Sequence, residues 1–291
     1  MTPRPPQDPG PSASPDLTTT HATDFDRATH VAANGDGRFA AALDPQWNGP
    51  FDTPNGGVIA AILLRAAQAE LARPDLPPRI LNVQYLRRAN PESAHLHVQI
   101  LRVGRRNATV QASLHQREEL AVTALITFSA PRPHTLTVAE PAPGAPPPDQ
   151  VAELDPDDLD GAPPALRRLR LRPCFGAPIL GGSADAVTGG WFSLRDDDED
   201  RAYDAARLVA LCDLWWPAVF GAARQLVAVP TLDLTVHLRA TTSVRGPILG
   251  RFHTALIAEG HLDEIGQLWS ATGQLLAESR QLALLTEPHR R

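Results

Sequence analysis

Hydrophobic and polar positions along this chain set out one order of elements and then repeat it. Residues 58–71 (VIAAILLRAAQAEL) are good helix formers, apolar on most faces, the pattern of a buried helix rather than a surface one. Past them the period shortens to two. Residues 81–88 give a first strand. In 95–103, Leu96, Val98 and Ile100 alternate with His95, His97 and Gln99, and 109–114 and 120–128 continue the alternation, with hairpin turns expected at 104–107 and 116–119. The order then returns. Residues 202–223 form a second apolar helical stretch, in which Pro217 is expected to kink or shorten the helix. Strands follow at 231–239, 248–258, 264–270 and 275–285. Aligning Leu86-Arg87 with Leu238-Arg239 gives an offset of 152 residues, so the chain reads as a duplicated α+β module.

Shorter candidate strands precede each helix, at 37–43 and within 184–194. Between the halves the pattern breaks into a proline-rich and then acidic run. The expected organisation is a disordered tail at 1–24, an N-terminal module at 25–130, a linker at 131–165 and a C-terminal module at 166–286.

Composition narrows the function classes. With 291 residues and 43% hydrophobic content, two modules can each hold a core. A net charge of −6 argues against a nucleic-acid partner. All 27 cationic side chains are arginine, which together with 29 prolines reads as a genome-wide bias rather than a phosphate-binding signal. Two cysteines, Cys174 and Cys212, make neither a disulfide framework nor a four-ligand zinc site. His95-x-His97 lacks a third ligand, and no metal or cofactor is expected. With no secretory signal and no apolar run long enough to span a bilayer, a cytoplasmic location without a membrane partner is the expectation. Strand edges leave association into homo-oligomers open.

Differences between the copies point to the chemistry. In Leu211-Cys212-Asp213-Leu214-Trp215-Trp216 an acid interrupts an apolar run, and at the 152 offset its counterpart is near Ala61. A buried carboxylate costs several kcal/mol unless hydrogen-bonded or paired, so Asp213 is either functional, exposed, or tied to an arginine. Thr231 starts a strand where the first copy has Arg79, and Gln281 is polar where the first copy has Leu125; strand threonines and glutamines are usually structural.

The chain resembles the acyl-CoA thioesterase II-like, double-hotdog thioesterases. The resemblance rests on Asn55-Gly56-Gly57, Tyr85-Leu86-Arg87 and Phe128-Ser129 in the first module. In the second it rests on Asp213, Thr231-Leu232-Asp233 before His237-Leu238-Arg239, and the segment 273–281, G-x-L-x-A-x-S-x-Q. It implies a double hotdog, in which each module wraps an antiparallel sheet around a long central helix. It also implies an acyl-CoA substrate and an Asp, Thr and Gln holding a water, which fall on Asp213, Thr231 and Gln281. Thioesters are electrophilic and thiolates leave well, so an oriented water suffices, with a desolvated Asp213 as base. Gly56 and Gly57 at a helix start are candidates for the oxyanion donors, or else serve a tight turn or close packing.

Other classes fare worse. Residues 181–185 fail the G-x-S-x-G pattern, no P-loop or dinucleotide fingerprint occurs, and the acidic run 196–200 lacks calcium-loop spacing. No histidine follows Asp213 before His237, which disfavours a hydratase. The remaining alternative is a hotdog that binds acyl-CoA or another hydrophobic ligand without turnover. Trp215 and Trp216 either shorten the acyl pocket or fill the core.

Overall fold

The computed structural model describes residues 22–159, 161–196, 201–240 and 244–286. Most of the expected tail and all but Asp196 of the acidic run 196–200 lie outside the described residues. The first half contains α1 (Asp24–Ala28), β1 (Ala32–Ala33), β2 (Arg38–Ala42), α2 (Gly56–Leu71), β3 (Pro78–Tyr85), β4 (Ser93–Val103), β5 (Asn107–Gln116) and β6 (Glu119–Ser129). The stretch 130–147 carries no helix or strand, and three short 3-10 turns occupy 148–168. The second half contains β7 (Leu169–Gly176), β8 (Val187–Leu194), α3 (Ala205–Leu211), α4 (Val219–Ala222), β9 (Thr231–Leu238), β10 (Ile248–His253), β11 (Ile257–Ala258), β12 (His261–Trp269) and β13 (Leu275–Leu284).

The strands form one antiparallel sheet in the order β1-β2-β4-β5-β6-β3-β9-β13-β12-β10-β8-β7, with β11 paired to β12. The two halves meet where β3 pairs with β9. Asn82 lies opposite Thr235 at a separation of 153 residues, its amide donating to the threonine hydroxyl at 3.1 Å, and the flanking pairs Leu81–Val236 and Val83–Leu234 are symmetric about them. This is the pseudo-twofold axis of the duplication, and it corrects the offset of 152. Leu86 is 53% exposed whereas Leu238 is 4% exposed, so that pairing joins opposite faces. The same slip displaced Gln281. It sits opposite Leu234, while Leu81, the equivalent of Leu234, sits opposite Ile126. The first-copy counterpart of Gln281 is therefore the fully buried Ile126 and not the outward-facing Leu125. Because the side-chain period in a strand is two, one residue of error exchanges inside for outside.

Helix α2 begins two residues before the expected start. Asn55 caps it, its side-chain oxygen accepting from the Val58 N–H at 3.1 Å, and Ala72 closes it in the left-handed conformation. Its apolar character all round is explained by sheet on one side and α3 on the other: Ile62, Leu63 and Leu64 are fully buried. Each such side chain stabilises the fold by roughly 1.5–3 kcal/mol relative to exposure. Among the few polar side chains of α2, Arg65 reaches the Thr29 hydroxyl at 2.8 Å and Asp26 and Asp204 at 3.2 Å.

The second helix differs from the first. It ends at Leu211 after seven residues, and an irregular segment runs from Cys212 to Ala218 before the single turn of α4. Pro217 disfavours helix at Trp216, but the chain leaves the helix five residues earlier, at Cys212. The consequence is local: Asp213 is released from the helical repeat just where α3 crosses the start of α2.

Candidate active site

Two small residues permit the approach of the helices. A Cβ placed on Gly57 would lie 2.7 Å from the Ala210 carbonyl oxygen and 2.8 Å from Cβ of Asp213; one on Gly56 would lie 3.0 Å from both Oδ2 of Asp213 and the Tyr85 hydroxyl. Without side chains, the first turn of α2 can rest directly against the segment that carries Asp213. The close-packing role for these glycines, left open by the sequence, is thus present in the structure.

Asp213 is held by both halves of the chain. Its Oδ2 accepts from the Gly57 N–H at 2.8 Å and from Nδ2 of Asn55 at 3.2 Å, and the same amide donates to the Asp213 carbonyl at 2.9 Å. Its Oδ1 accepts from Nε2 of Gln281 at 2.9 Å. A carboxylate at a helix N-terminus is favoured by the free N–H groups and the helix dipole. Burial nevertheless dominates and raises its pKa from 3.8 to about 6, against the lowering effect of the bonds from Gly57, Gln281 and Asn55. Among the described residues no arginine bonds to it, so there it is not the ion-paired acid that the sequence left open.

Gln281 lies on the inner face of β13, where Ala277, Ser279 and Gln281 alternate inward. Its amide NH₂ goes to Asp213, and its carbonyl accepts from the Thr231 hydroxyl at 2.9 Å. Thr231 opens β9 next to a register shift between Leu282 and Ala283, and Ala283 is its strand partner. The structure thus brings Asp213, Thr231 and Gln281 into one hydrogen-bonded chain. Asp213 and Thr231 each keep part of their surface exposed.

The two glycines separate in role. The Gly57 N–H is engaged by Asp213 and does not stand free for an oxyanion. The Gly56 N–H has no partner among the described residues, while the Gly56 carbonyl accepts from the Tyr85 hydroxyl at 2.7 Å. Burial, with Asp213 and Asp233 adding to it, holds the Tyr85 phenol well above its ordinary range, so it stays protonated and donates.

The aromatic residues beyond Asp213 pack inward. Nε1 of Trp215 donates to the Thr188 hydroxyl at 2.9 Å, and its ring meets Phe192 edge-on with centroids 5.2 Å apart. Cys212 is fully buried, and its thiol, which shares a hydrogen bond with Ser279, is pushed up to about 12 by burial. It is no nucleophile at neutral pH. His95 and His97 lie on one exposed face of β4, with the His97 ring 4.7 Å from that of His115, and no group of three ligating side chains among the described residues could hold a metal. No helix among them is long and apolar enough to cross a membrane. Cavities of about 450 and 840 Å³ open around Leu71 and Arg65 farther along α2; neither includes Asp213, Thr231 or Gln281.

Sequence reasoning gave no role to three residues around the site. Asn55 and Tyr85 stand in resembling motifs, yet only the fold shows them against Asp213 and Gly56. Glu264 carried a readable signal: in β12 it alternates inward with Leu262, Gly266 and Leu268, an acid on a buried face.

Comparison with known proteins matches both halves. Residues 43–129 match the acyl-CoA thioesterase N-terminal domain and residues 143–285 the acyl-CoA thioesterase C-terminal domain. Among solved structures, a hot dog fold protein of unknown function from Alicyclobacillus acidocaldarius is 27% identical with a TM-score of 0.80, over 93% of this chain and 100% of its own. A protein assigned as a thioesterase II from Thermobifida fusca YX is 30% identical with a TM-score of 0.78, over 92% and 99%. An acyl-CoA thioesterase II, TesB2, from Mycobacterium marinum shares the fold at 18% identity and a TM-score of 0.70, over 91% and 99%. Comparison with curated proteins gives no match. With both domain models matched in order across a duplicated antiparallel sheet, the chain belongs to the acyl-CoA thioesterase II-like family of double-hotdog proteins.

Proposed function

We propose that this protein is an acyl-CoA thioesterase that hydrolyses its substrate to a free acid and CoA by direct attack of a water held by Asp213, Thr231 and Gln281. The observation that carries the reading is the chain Thr231 hydroxyl to Gln281 carbonyl and Gln281 amide to Asp213 Oδ1, each link 2.9 Å. It leaves three functions pointing outward. Thr231 has given its proton to Gln281 and can accept from water. Gln281 keeps a second N–H to donate to the water oxygen, and Oδ1 of Asp213 keeps a lone pair for a water proton. A water giving both protons away presents its remaining lone pair to the thioester carbonyl.

Asp213 then takes the proton as the C–O bond forms. With a pKa of about 6 it is ionised at neutral pH and still basic enough to help. Such assistance contributes roughly 10²–10⁴ in rate. The Gly56 N–H at the start of α2 is the donor left to meet the oxyanion, in a field that favours negative charge. Collapse of the tetrahedral intermediate expels the CoA thiolate. The C-terminal module supplies the three water-holding groups, and the N-terminal module holds Asp213 through Asn55 and Gly57. A cytoplasmic setting without membrane or nucleic-acid partners fits this reading.

An acyl-CoA panel of graded chain length, with a thiol-trapping reagent as readout, tests it. Thiol release by the wild type, lost in Asp213→Asn, supports the proposal. Tight acyl-CoA binding with no release from either would favour a non-catalytic carrier.

A further inference from the structure

The water-holding groups leave one buried carboxyl of the site unexplained. Glu264 is 8% exposed on the inner face of β12, directly across the ladder from Gln281. Its Oε2 accepts from the Ala218 N–H at 2.6 Å, and that residue ends the irregular segment that begins just before Asp213. No other side chain among the described residues bonds to it.

We propose that Glu264 is a positioning residue for the reaction at Asp213, a neutral carboxylic acid that ties β12 to the Asp213–Ala218 segment and keeps a second negative charge out of the site. The proposal rests on the thioesterase reading above.

Among the described residues, the surroundings of Glu264 contain nothing to balance a charge. From β13 it faces the neutral Gln281. From the helical side it faces Asp213, an acid, and beside that the buried thiol of Cys212. On β10, Arg251 and His253 pair with Gln267 and Ile265, the positions that alternate to the other face of β12. Arg280 also pairs with Ile265, and Asp263 lies on that outer face of the same strand. An unpaired buried carboxylate is strongly disfavoured, and the group neutralises instead. In keeping with this, burial pushes its carboxyl up to about 8, with Asp213 and Asp263 adding to the rise.

Neutrality matters because of what forms nearby. Before attack the negative charge rests on Asp213; as Asp213 takes the water proton, that charge passes to the oxyanion and then to the departing thiolate. A neutral Glu264 accepts the Ala218 N–H without repelling that charge. An ionised Glu264 would still accept the bond, but would place a further negative charge one strand from Gln281, where like charges interact strongly at low dielectric. Activity should therefore fall on the alkaline side as Glu264 loses its proton, independently of the acid-side fall set by Asp213. A purely structural role would be met by any acceptor and would leave no such limb.

The experiment compares wild type and Glu264→Gln in steady-state acyl-CoA hydrolysis across pH, each profile scaled to its own maximum, together with infrared carbonyl spectra. The expected wild-type rate at about pH 9 is roughly tenfold below its maximum, while Glu264→Gln stays within about twofold of its own. Near neutral pH the wild type should show a protonated-carboxyl band that is missing in the variant. An alkaline limb unchanged in Glu264→Gln, or an identical band in both proteins, overturns the proposal. Should the variant fail to fold, the wild-type band decides: it must be present at neutral pH and fade in step with activity as pH rises, and its absence overturns the proposal. A wild type that releases no thiol from any acyl-CoA, with the band present, instead overturns the thioesterase reading on which the positioning role depends.

Discussion

The N–H of Gly57, in the first module, donates to Oδ2 of Asp213, in the second, at 2.8 Å. The duplicated halves therefore share one acid: one copy carries it and the other holds it. In the first copy the equivalent stretch of α2 is alanine and aliphatic side chains, so this arrangement is not repeated there.

Gly57→Ala tests that contact. The added methyl would meet the Ala210 carbonyl at 2.7 Å and Cβ of Asp213 at 2.8 Å, both too close to keep. Separation of α2 from α3 should cost about 1–3 kcal/mol in chemical denaturation and lower kcat by disturbing Asp213. Unchanged stability and activity would show that the helices have room to spare.

Asn55 has two separable roles. Asn55→Ala removes the cap on α2, a loss of about 1 kcal/mol, and a hydrogen bond that lowers the Asp213 pKa. The acid limb of kcat/KM should then move to higher pH. Asn55→Asp keeps an oxygen cap but sets a second acid against Asp213. It should retain most of the melting temperature while moving the acid limb further upward. Equal acid limbs in wild type and Asn55→Asp would remove Asn55 from the electrostatics of the site.

Thr231 acts partly through Gln281, because its hydroxyl proton is given to the Gln281 carbonyl at 2.9 Å. Thr231→Val and Gln281→Leu should each lower kcat about 10–100-fold, the scale of one hydrogen bond to a charged or developing-charge centre. The double variant should lose much less than the product of the two, since the residues work as a unit. Multiplicative losses in a four-enzyme comparison of kcat would contradict the linked arrangement.

How far the sequence reached is clear at particular residues. Period-two alternation located β4, β5 and β6 to within about two residues, and the apolar run located α2, because burial on one or all faces leaves a direct mark on residue order. The candidate residues Asp213 and Gln281 stood out as polar groups in apolar settings. What failed was register. Leu86 and Leu238 look alike in sequence, yet only the β3–β9 ladder fixes Asn82 against Thr235 and moves the true counterpart of Gln281 to Ile126. The early end of α3 and the capture of Asp213 by Gly57 depend on contacts between halves some 156 residues apart, which no local pattern encodes.

Stability should vary with pH in a definite sense. Asp213 and Glu264 both have folded-state pKa values above their ordinary ones, about 6 against 3.8 and about 8 against 4.5. Between those values the folded state keeps protons that the unfolded chain has lost, so stability present at pH 4 declines as pH rises toward 8. Glu264 alone contributes on the order of 3–5 kcal/mol to that decline. Denaturation midpoints at about pH 5 and pH 8 measure it, and Glu264→Gln should flatten the slope. A midpoint that rises over this range would contradict the raised pKa values of both acids.

The central claim is that water, and not a protein group, attacks the thioester. A single turnover in ¹⁸O-labelled water, with enzyme in excess over acyl-CoA, tests it directly. The account predicts ¹⁸O in the released acid on that first turnover and none in Asp213. Unlabelled acid with the label in the Asp213 carboxyl would mean that Asp213 attacked first, through an anhydride, and would contradict it.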